Sequence, residues 1–242
     1  MKKAITIIVF VISLLILFCA CSEKQTQTKE SDVSEDSIVK TSEIGENVPD
    51  KVVLSKEEML YQSTKVSNKT MGKDFSSNQV RAKSTYCNQI IEIEGYIWGI
   101  REDHVIMRIG DEYTMWYIDI FLPEEDIIQV DSSQKVIILG ELDDTIRKDT
   151  DSSASFLCMP TAYLIQDKFV ISGTIWGRQA GTNKFNFFEP GHKYGTELTF
   201  ADGVDTSAYE TGKQEIQVYA KVYQYGMSTH IDNTYSDAVP VE

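Results

Sequence analysis

An internal repeat constrains this chain more than any other feature. Ile91-Glu92-Ile93-Glu94-Gly95-Tyr96-Ile97-Trp98-Gly99 returns as Phe169-Val170-Ile171-Ser172-Gly173-Thr174-Ile175-Trp176-Gly177. In both copies apolar side chains alternate with others and a Gly-x-Ile-Trp-Gly closes the run, a period of two that suits a half-buried strand rather than a helix. Farther on, KVIILGEL at 135–142 matches EIQVYAKV at 215–222, and Ala162-Tyr163-Leu164 matches Ala238-Val239-Pro240, all at a nearly constant offset. Three matches in one order predict two copies of a single β-unit.

Within the first copy the apolar alternation predicts strands at 90–100, 105–109, 113–122, 136–142 and 156–165. Between the third and fourth, Pro123-Glu124-Glu125-Asp126-Ile127-Ile128 is acidic at its start with an apolar pair behind it, which suits one helical turn. Three strands, a short helix and two more strands is the order of an OB barrel. Gly95 and Gly140 fall inside strands, where they allow the coiling that a small closed barrel needs. Ahead of the first strand, Asn78, Ala82 and Tyr86 stand at four-residue spacing and predict a helix. Ser55-Lys56-Glu57-Glu58 is a capping box that predicts another helix starting through Met59, Leu60 and Tyr61.

The helix with Asn78, Ala82 and Tyr86, the run Ile91-Glu-Ile-Glu-Gly95 and the later Lys135-Val-x-x-x-Gly140 together resemble the tRNA-anti-like family of bacterial OB-fold domains, over about residues 74–165. The resemblance implies a five-stranded OB barrel in a family that includes envelope lipoproteins. It does not carry nucleic-acid binding with it. The chain departs from the family pattern at 143–155 (DDTIRKDTDSSAS), an insertion beside the usual ligand face. The expected class is mainly β: an OB barrel with a preceding helix, 55–165, then a second, smaller OB-like β domain, 166–242. A small sheet packed on the first barrel is the rival reading of the second copy.

The amino end reads MKKAITIIVFVISLLILFCAC: two lysines, an apolar run, then a small residue before cysteine. That layout predicts a secretory signal peptide over 1–20. Leu17-Phe18-Cys19-Ala20-Cys21 resembles a bacterial lipobox with Phe18 as its departure, which would place a diacylglyceryl or palmitate-type anchor on Cys21. An uncleaved membrane span is the alternative. Residues 21–54 are rich in Ser, Thr, Glu, Lys and Asp and hold no aromatic residue, so the segment is expected to stay unfolded as a tether. The expected address is the outer side of the cell membrane, held by lipid.

Lys and Arg number 23 against 37 Asp and Glu, a net charge of −14. Such a surface repels phosphate backbones and anionic headgroups, so no nucleic-acid partner is expected and membrane attachment falls to the lipid. His104, His192 and His230 are scattered without ligand partners at metal spacing, and no HExxH, CxxC pair, EF-hand loop, Gly-x-Ser-x-Gly elbow or phosphate-cradling glycine loop occurs. No metal, cofactor or catalytic residue is therefore expected. Cys87 and Cys158 are either a disulfide or two buried thiols.

Aromatic side chains offer the candidate recognition surface, because OB barrels use rings on the outer face of their second and third strands. Trp116 is the first candidate, set by alternation opposite Met115 and Tyr117, and Tyr113 is the second if the strand is irregular at its start. The expected function is a lipid-anchored, non-enzymatic module that binds a protein or an envelope glycan. A structural lipoprotein that scaffolds a membrane complex is the alternative, and a hydrolase the remote third.

Overall fold

The computed structural model describes residues 54–241 apart from 112, 151, 180–181, 211 and 226–231. The segments expected as signal peptide and tether up to residue 53, Cys21 and His230 lie outside the described residues.

The chain opens with helix α1 (Lys56–Gln62), and its capping box forms: Ser55 Oγ accepts from Glu58 N–H while Glu58 accepts from Ser55 N–H. Met59 is its buried residue. Strand β1 (Thr64–Val66) follows, then helices α2 (Asn68–Ser77) and α3 (Gln79–Tyr86). The helix predicted around Asn78, Ala82 and Tyr86 is thus half of a pair. Asn78 ends α2 and caps α3 by accepting from Arg81 N–H, a side-chain bond that competes with continuing one helix. Tyr86 O–H donates to Asp74 at 2.6 Å and locks the two helices together.

The first barrel runs β2 (Ile90–Ile100), β3 (Val105–Ile109), β4 (Trp116–Ile120), helical turn α4 (Glu124–Ile127), β5 (Lys135–Glu141), β6 (Ile146–Lys148), β7 (Ser155–Met159) and β8 (Ala162–Gln166). Hydrogen bonds connect them as β6-β7-β4-β3-β2-β5-β8, with β1 alongside β2. The strand predicted at 156–165 is broken at Pro160, which cannot donate to a ladder. β7 pairs parallel with β4 while β8 pairs antiparallel with β5. Phe121 ties the halves, donating to Met159 O and accepting from Ala162 N–H, so the ring closes through the chain. The strand expected to begin at 113 begins at Trp116 instead. Asp111 accepts from Tyr113 N–H, and Thr114 Oγ1 donates to the carbonyls of Ile109 and Asp111, a turn that removes these residues from the ladder. The insertion at 143–155, expected as loop, contains β6, paired antiparallel with β7.

The second barrel comprises β9 (Phe169–Arg178), β10 (Lys184–Phe188), β11 (Thr196–Phe200), a 3₁₀ turn (Ser207–Tyr209), β12 (Lys213–Tyr225) and β13 (Asp232–Pro240). It closes as β10-β11-β13-β12-β9, which is the OB order with parallel pairing of third and fifth strands. The repeat is therefore a repeat of register. Ile93 faces Ile138 as Ile171 faces Val218, Gly95 faces Val136 as Gly173 faces Ile216, and Leu139 faces Tyr163 as Tyr219 faces Val239. The fifth strand bends at the same place in both copies: at Pro160 in the first, and in the second at Asp237, whose φ of 51° is left-handed.

Inward side chains of each barrel form separate cores. Ile91, Ile93, Ile97, Met107, Ile118 and Leu157 fill the first, with Met71 and Phe75 of α2 closing one end. Phe185, Phe187, Leu198, Phe200 and Tyr235 fill the second. α2 approaches so closely that a Cβ on Gly72 would lie 2.3 Å from Gly110 Cα. The barrels meet where β12 runs along the segment before β5. Gln134 bridges Tyr223, and its fully buried amide accepts from Asp131 N–H and donates to Asp167 O. Tyr223 O–H donates to Asp131, Lys221 donates to Gln129 O, and the Lys135 ammonium sits 4.5 Å over Phe169.

Candidate functional site

Strand alternation turns every second residue of the first barrel outward, and register then lines the outward residues up across strands. Arg108 of β3 faces Tyr117 of β4, Tyr117 faces Phe156 of β7, and Phe156 faces Arg147 of β6. Trp98 of β2 extends the row at its other end. The result is a cross-strand ladder: the Arg108 guanidinium lies 5.7 Å from the Trp98 ring, Trp98 and Tyr117 are 6.0 Å apart, Tyr117 and Phe156 stack at 5.2 Å, and the Arg147 guanidinium lies 4.3 Å over Phe156. Each cation–ring contact is worth about 0.5–1 kcal/mol at an exposed site, enough to order long side chains that would otherwise roam.

The rung behind the ladder is polar. Asp119 is 9 % exposed and accepts from Arg147 at 2.7 Å through Oδ2. Its Oδ1 faces His104 Nε2 at 3.8 Å, too far for a hydrogen bond. His104 is held by Asp103 at 2.7 Å and packs 5.0 Å from Phe121. Its hydrogen bond to Asp103 holds that carboxyl below the usual carboxylate range. Among the described residues, two buried side-chain polar atoms lack a hydrogen-bond partner: Arg108 Nε and Asp119 Oδ1. Both atoms are buried, so each carries the cost of an unmade hydrogen bond.

The two residues singled out from sequence occupy other positions. Trp116 points to the inner side, half-buried, with its ring 5.0 Å from Phe75 beneath α2. The faces are the reverse of the expectation: Tyr117, not Trp116, has the outward parity. Tyr113 is 83 % exposed on the Asp111 turn, away from the ladder register. The disulfide considered for Cys87 and Cys158 is not formed, and both are free thiols. Cys87 packs in the inner core while Cys158 alternates outward from Leu157 and Met159, so the two lie on opposite sides of the sheet. Burial pushes the Cys87 thiol up to about 11, and burial followed by the charges of Asp143 and Asp119 raises Cys158, leaving both protonated at neutral pH.

The ladder residues Arg108, Asp119, Phe156 and Arg147 escaped the sequence reading. Arg108 interrupts V-I-M-R-I at an outward position, a signal that was available; Arg147 lies in an insertion whose strand could not be read from three residues. No described group of three or more His, Cys, Asp or Glu could hold a metal ion, and no described helix is long and apolar enough to cross a membrane.

An eight-stranded sheet whose ends meet through Phe121, with an aromatic and cationic strip on its outer face, and a closed five-stranded barrel in OB order define a tandem OB-fold protein. The chain belongs to the tRNA_anti-like family, whose model matches residues 1–150, through β6 of the first barrel. No curated protein matches the chain.

Proposed function

We propose that this protein is a non-catalytic binding module, held on the outer side of the cell membrane by lipid on Cys21, that takes an extended envelope ligand across the outer face of β2, β3, β4, β7 and β6. The single observation that carries the reading is the ladder from Trp98 to Arg147, which leaves Trp98 half exposed on the face that OB barrels use for ligands. The anchor rests on the leader and lipobox-like end of the sequence. An acidic chain of net charge −14 argues for a protein or glycan rather than a polyphosphate ligand.

Retention of envelope proteins and glycans by the immobilised full chain tests the face. Capture that falls with Trp98→Ala and persists with Trp176→Ala supports it, and equal capture by both variants contradicts it. Incorporation of a palmitate analogue into wild type but not Cys21→Ala tests the anchor. The scaffold reading draws on the buried hydrogen bonds of Gln134 between the two barrels; it expects ladder substitutions to be silent.

A further inference from the structure

The shared register sets an outward row of the first barrel against an outward row of the second, and the two rows have different fates. In the first barrel the row is Glu92 of β2, Leu139 of β5 and Tyr163 of β8. Helix α1 lies across β2 and β5 and is tied down beside the row: Tyr163 O–H donates to Leu54 O at 3.3 Å, and the Lys56 ammonium donates to Leu164 O at 2.7 Å. Met59 is the residue this helix buries, and Leu139 has no exposure although its parity is outward. In the second barrel the same register gives Val170 of β9, Tyr219 of β12 and Val239 of β13. No α-helix occurs among the described residues of that copy, and the three side chains are 49 %, 47 % and 41 % exposed. The bare row is also the more apolar one, with Val170 where the first copy has Glu92.

We propose that the row of Val170, Tyr219 and Val239 receives a short amphipathic helix of a partner protein, which sets a methionine or leucine on Tyr219 and one acidic side chain near Lys168. An apolar row exposed across three strands, at the place where the other copy carries a helix, is a docking surface with a template for its occupant. That template is α1, seven residues long, with Met59 turned in and Glu57 and Glu58 in its first turn. Size argues against a second copy of this chain: three half-exposed side chains fall well short of the roughly 800 Å² per partner that a stable pair buries, whereas two turns of helix cover the same row on the first barrel. Charge argues for the acid. Lys168 stands one outward step before Val170, and its hydrogen bond to Asp237 O is long at 3.5 Å, while the Asp237 carboxylate lies nearer Lys221. This surface is separate from the ladder of the first barrel and does not depend on the binding reading above.

Fluorescence anisotropy of the full chain tests this with a labelled peptide of residues 54–63, held helical by a hydrocarbon staple between positions 57 and 61. Both of those side chains are exposed in α1, so Met59 and Glu58 remain to make the contact. Saturable binding is expected, weakened roughly 10-fold or more by Tyr219→Ser in the protein and by Met59→Ser in the peptide. Lys168→Ser is expected to weaken it several-fold, and Trp98→Ala to leave it unchanged. Val170→Ser serves as a second row variant, and an unchanged melting temperature in each separates loss of binding from loss of fold. Binding that persists in both Tyr219→Ser and Val170→Ser would put the peptide in the seat of α1 on the first barrel and overturn the proposal. So would the absence of saturable binding. Sedimentation of wild type and Tyr219→Ser is expected to agree; a wild-type dimer that Tyr219→Ser dissolves would make a second copy the occupant and overturn the partner helix.

Discussion

The two barrels share strand order, pairing register and the position of the bend in the fifth strand, yet their outer faces carry different rows of side chains around equivalent tryptophans. In the first, Arg108 follows the inward Met107; one register step on, the second barrel has Phe188 after the inward Phe187. Phe188 lies 6.1 Å from Trp176, the counterpart of Trp98, and rests on Gly195, where a Cβ would come 2.7 Å from its ring. Lys213 covers Trp176 at 4.3 Å, and Lys184 pairs with Glu197 at 2.8 Å. Both tryptophans thus carry a cation of the protein's own, a lysine at 4.3 Å on Trp176 and an arginine at 5.7 Å on Trp98, but only Trp98 continues into a row of rings across β4 and β7. One scaffold, duplicated, keeps its inward residues for folding and is free to spend the outward ones differently.

The comparison can be broken first at the repeat's paired glycines. A Cβ on Gly173 would meet Phe187 Cζ at 2.3 Å and the Phe188 carbonyl at 2.6 Å, a rigid ring and backbone. On Gly95 it would meet the Met107 sulfur at 2.6 Å and the Asn68 amide at 2.7 Å, both ends of side chains. Gly173→Ala is expected to cost about 3 kcal/mol and Gly95→Ala about 1 kcal/mol by chemical denaturation, the upper and lower ends for an overpacked core. Equal costs would mean that the shared register does not produce differently packed barrels.

A second expectation concerns the junction. Gln134→Ala leaves Asp131 N–H and Asp167 O without their buried partner, at about 1–3 kcal/mol. Calorimetry is expected to show one unfolding transition in wild type, and broadening or two transitions in the variant as the barrels uncouple. A single sharp transition at the wild-type temperature would show that the barrels are joined elsewhere.

Alkali sharpens the contrast further. Burial, then the bond to Asp74, raises Tyr86 in the first barrel's helix pair to about 12, and burial, then Glu189, raises Tyr235 in the second core. A raised acid favours the folded state while protonated, so this contribution is intact below the ordinary tyrosine value of about 10 and is lost as pH rises through the folded value. The melting temperature is expected to fall from about pH 10 upward, with Tyr86→Phe making the fall shallower. A flat melting profile up to pH 12 would contradict it.

The smallest effect is on stability at the two exposed tryptophans. Trp98→Ala and Trp176→Ala are each expected to cost under about 1 kcal/mol, since both rings are about half exposed. A large loss from either would mark it as a packing residue.

Most of the fold was legible because inward residues obey a period of two. The limits of β2 and β3 follow from it, as does the strand sequence of the first copy. What escaped depended on single bonds. Pro160 split the fifth strand, the Asp111 turn removed Tyr113 from β4, and Asn78 divided one helix into two. The site was harder for a related reason: alternation tells that two faces exist, but the helix covering one end decides which is inside. Because Phe75 of α2 lies on Trp116, the outward ring is Tyr117, and the sequence of β4 alone carries no trace of that helix.

Binding by the first barrel's outer face, and not by the second's, is most directly tested through the indole N–H signals of the three tryptophans in a nuclear magnetic resonance titration of the full chain with soluble envelope glycan fragments. The Trp98 signal is expected to move while those of Trp116, under α2, and Trp176, under Lys213, stay in place. Movement of Trp176 with Trp98 unmoved would contradict the account.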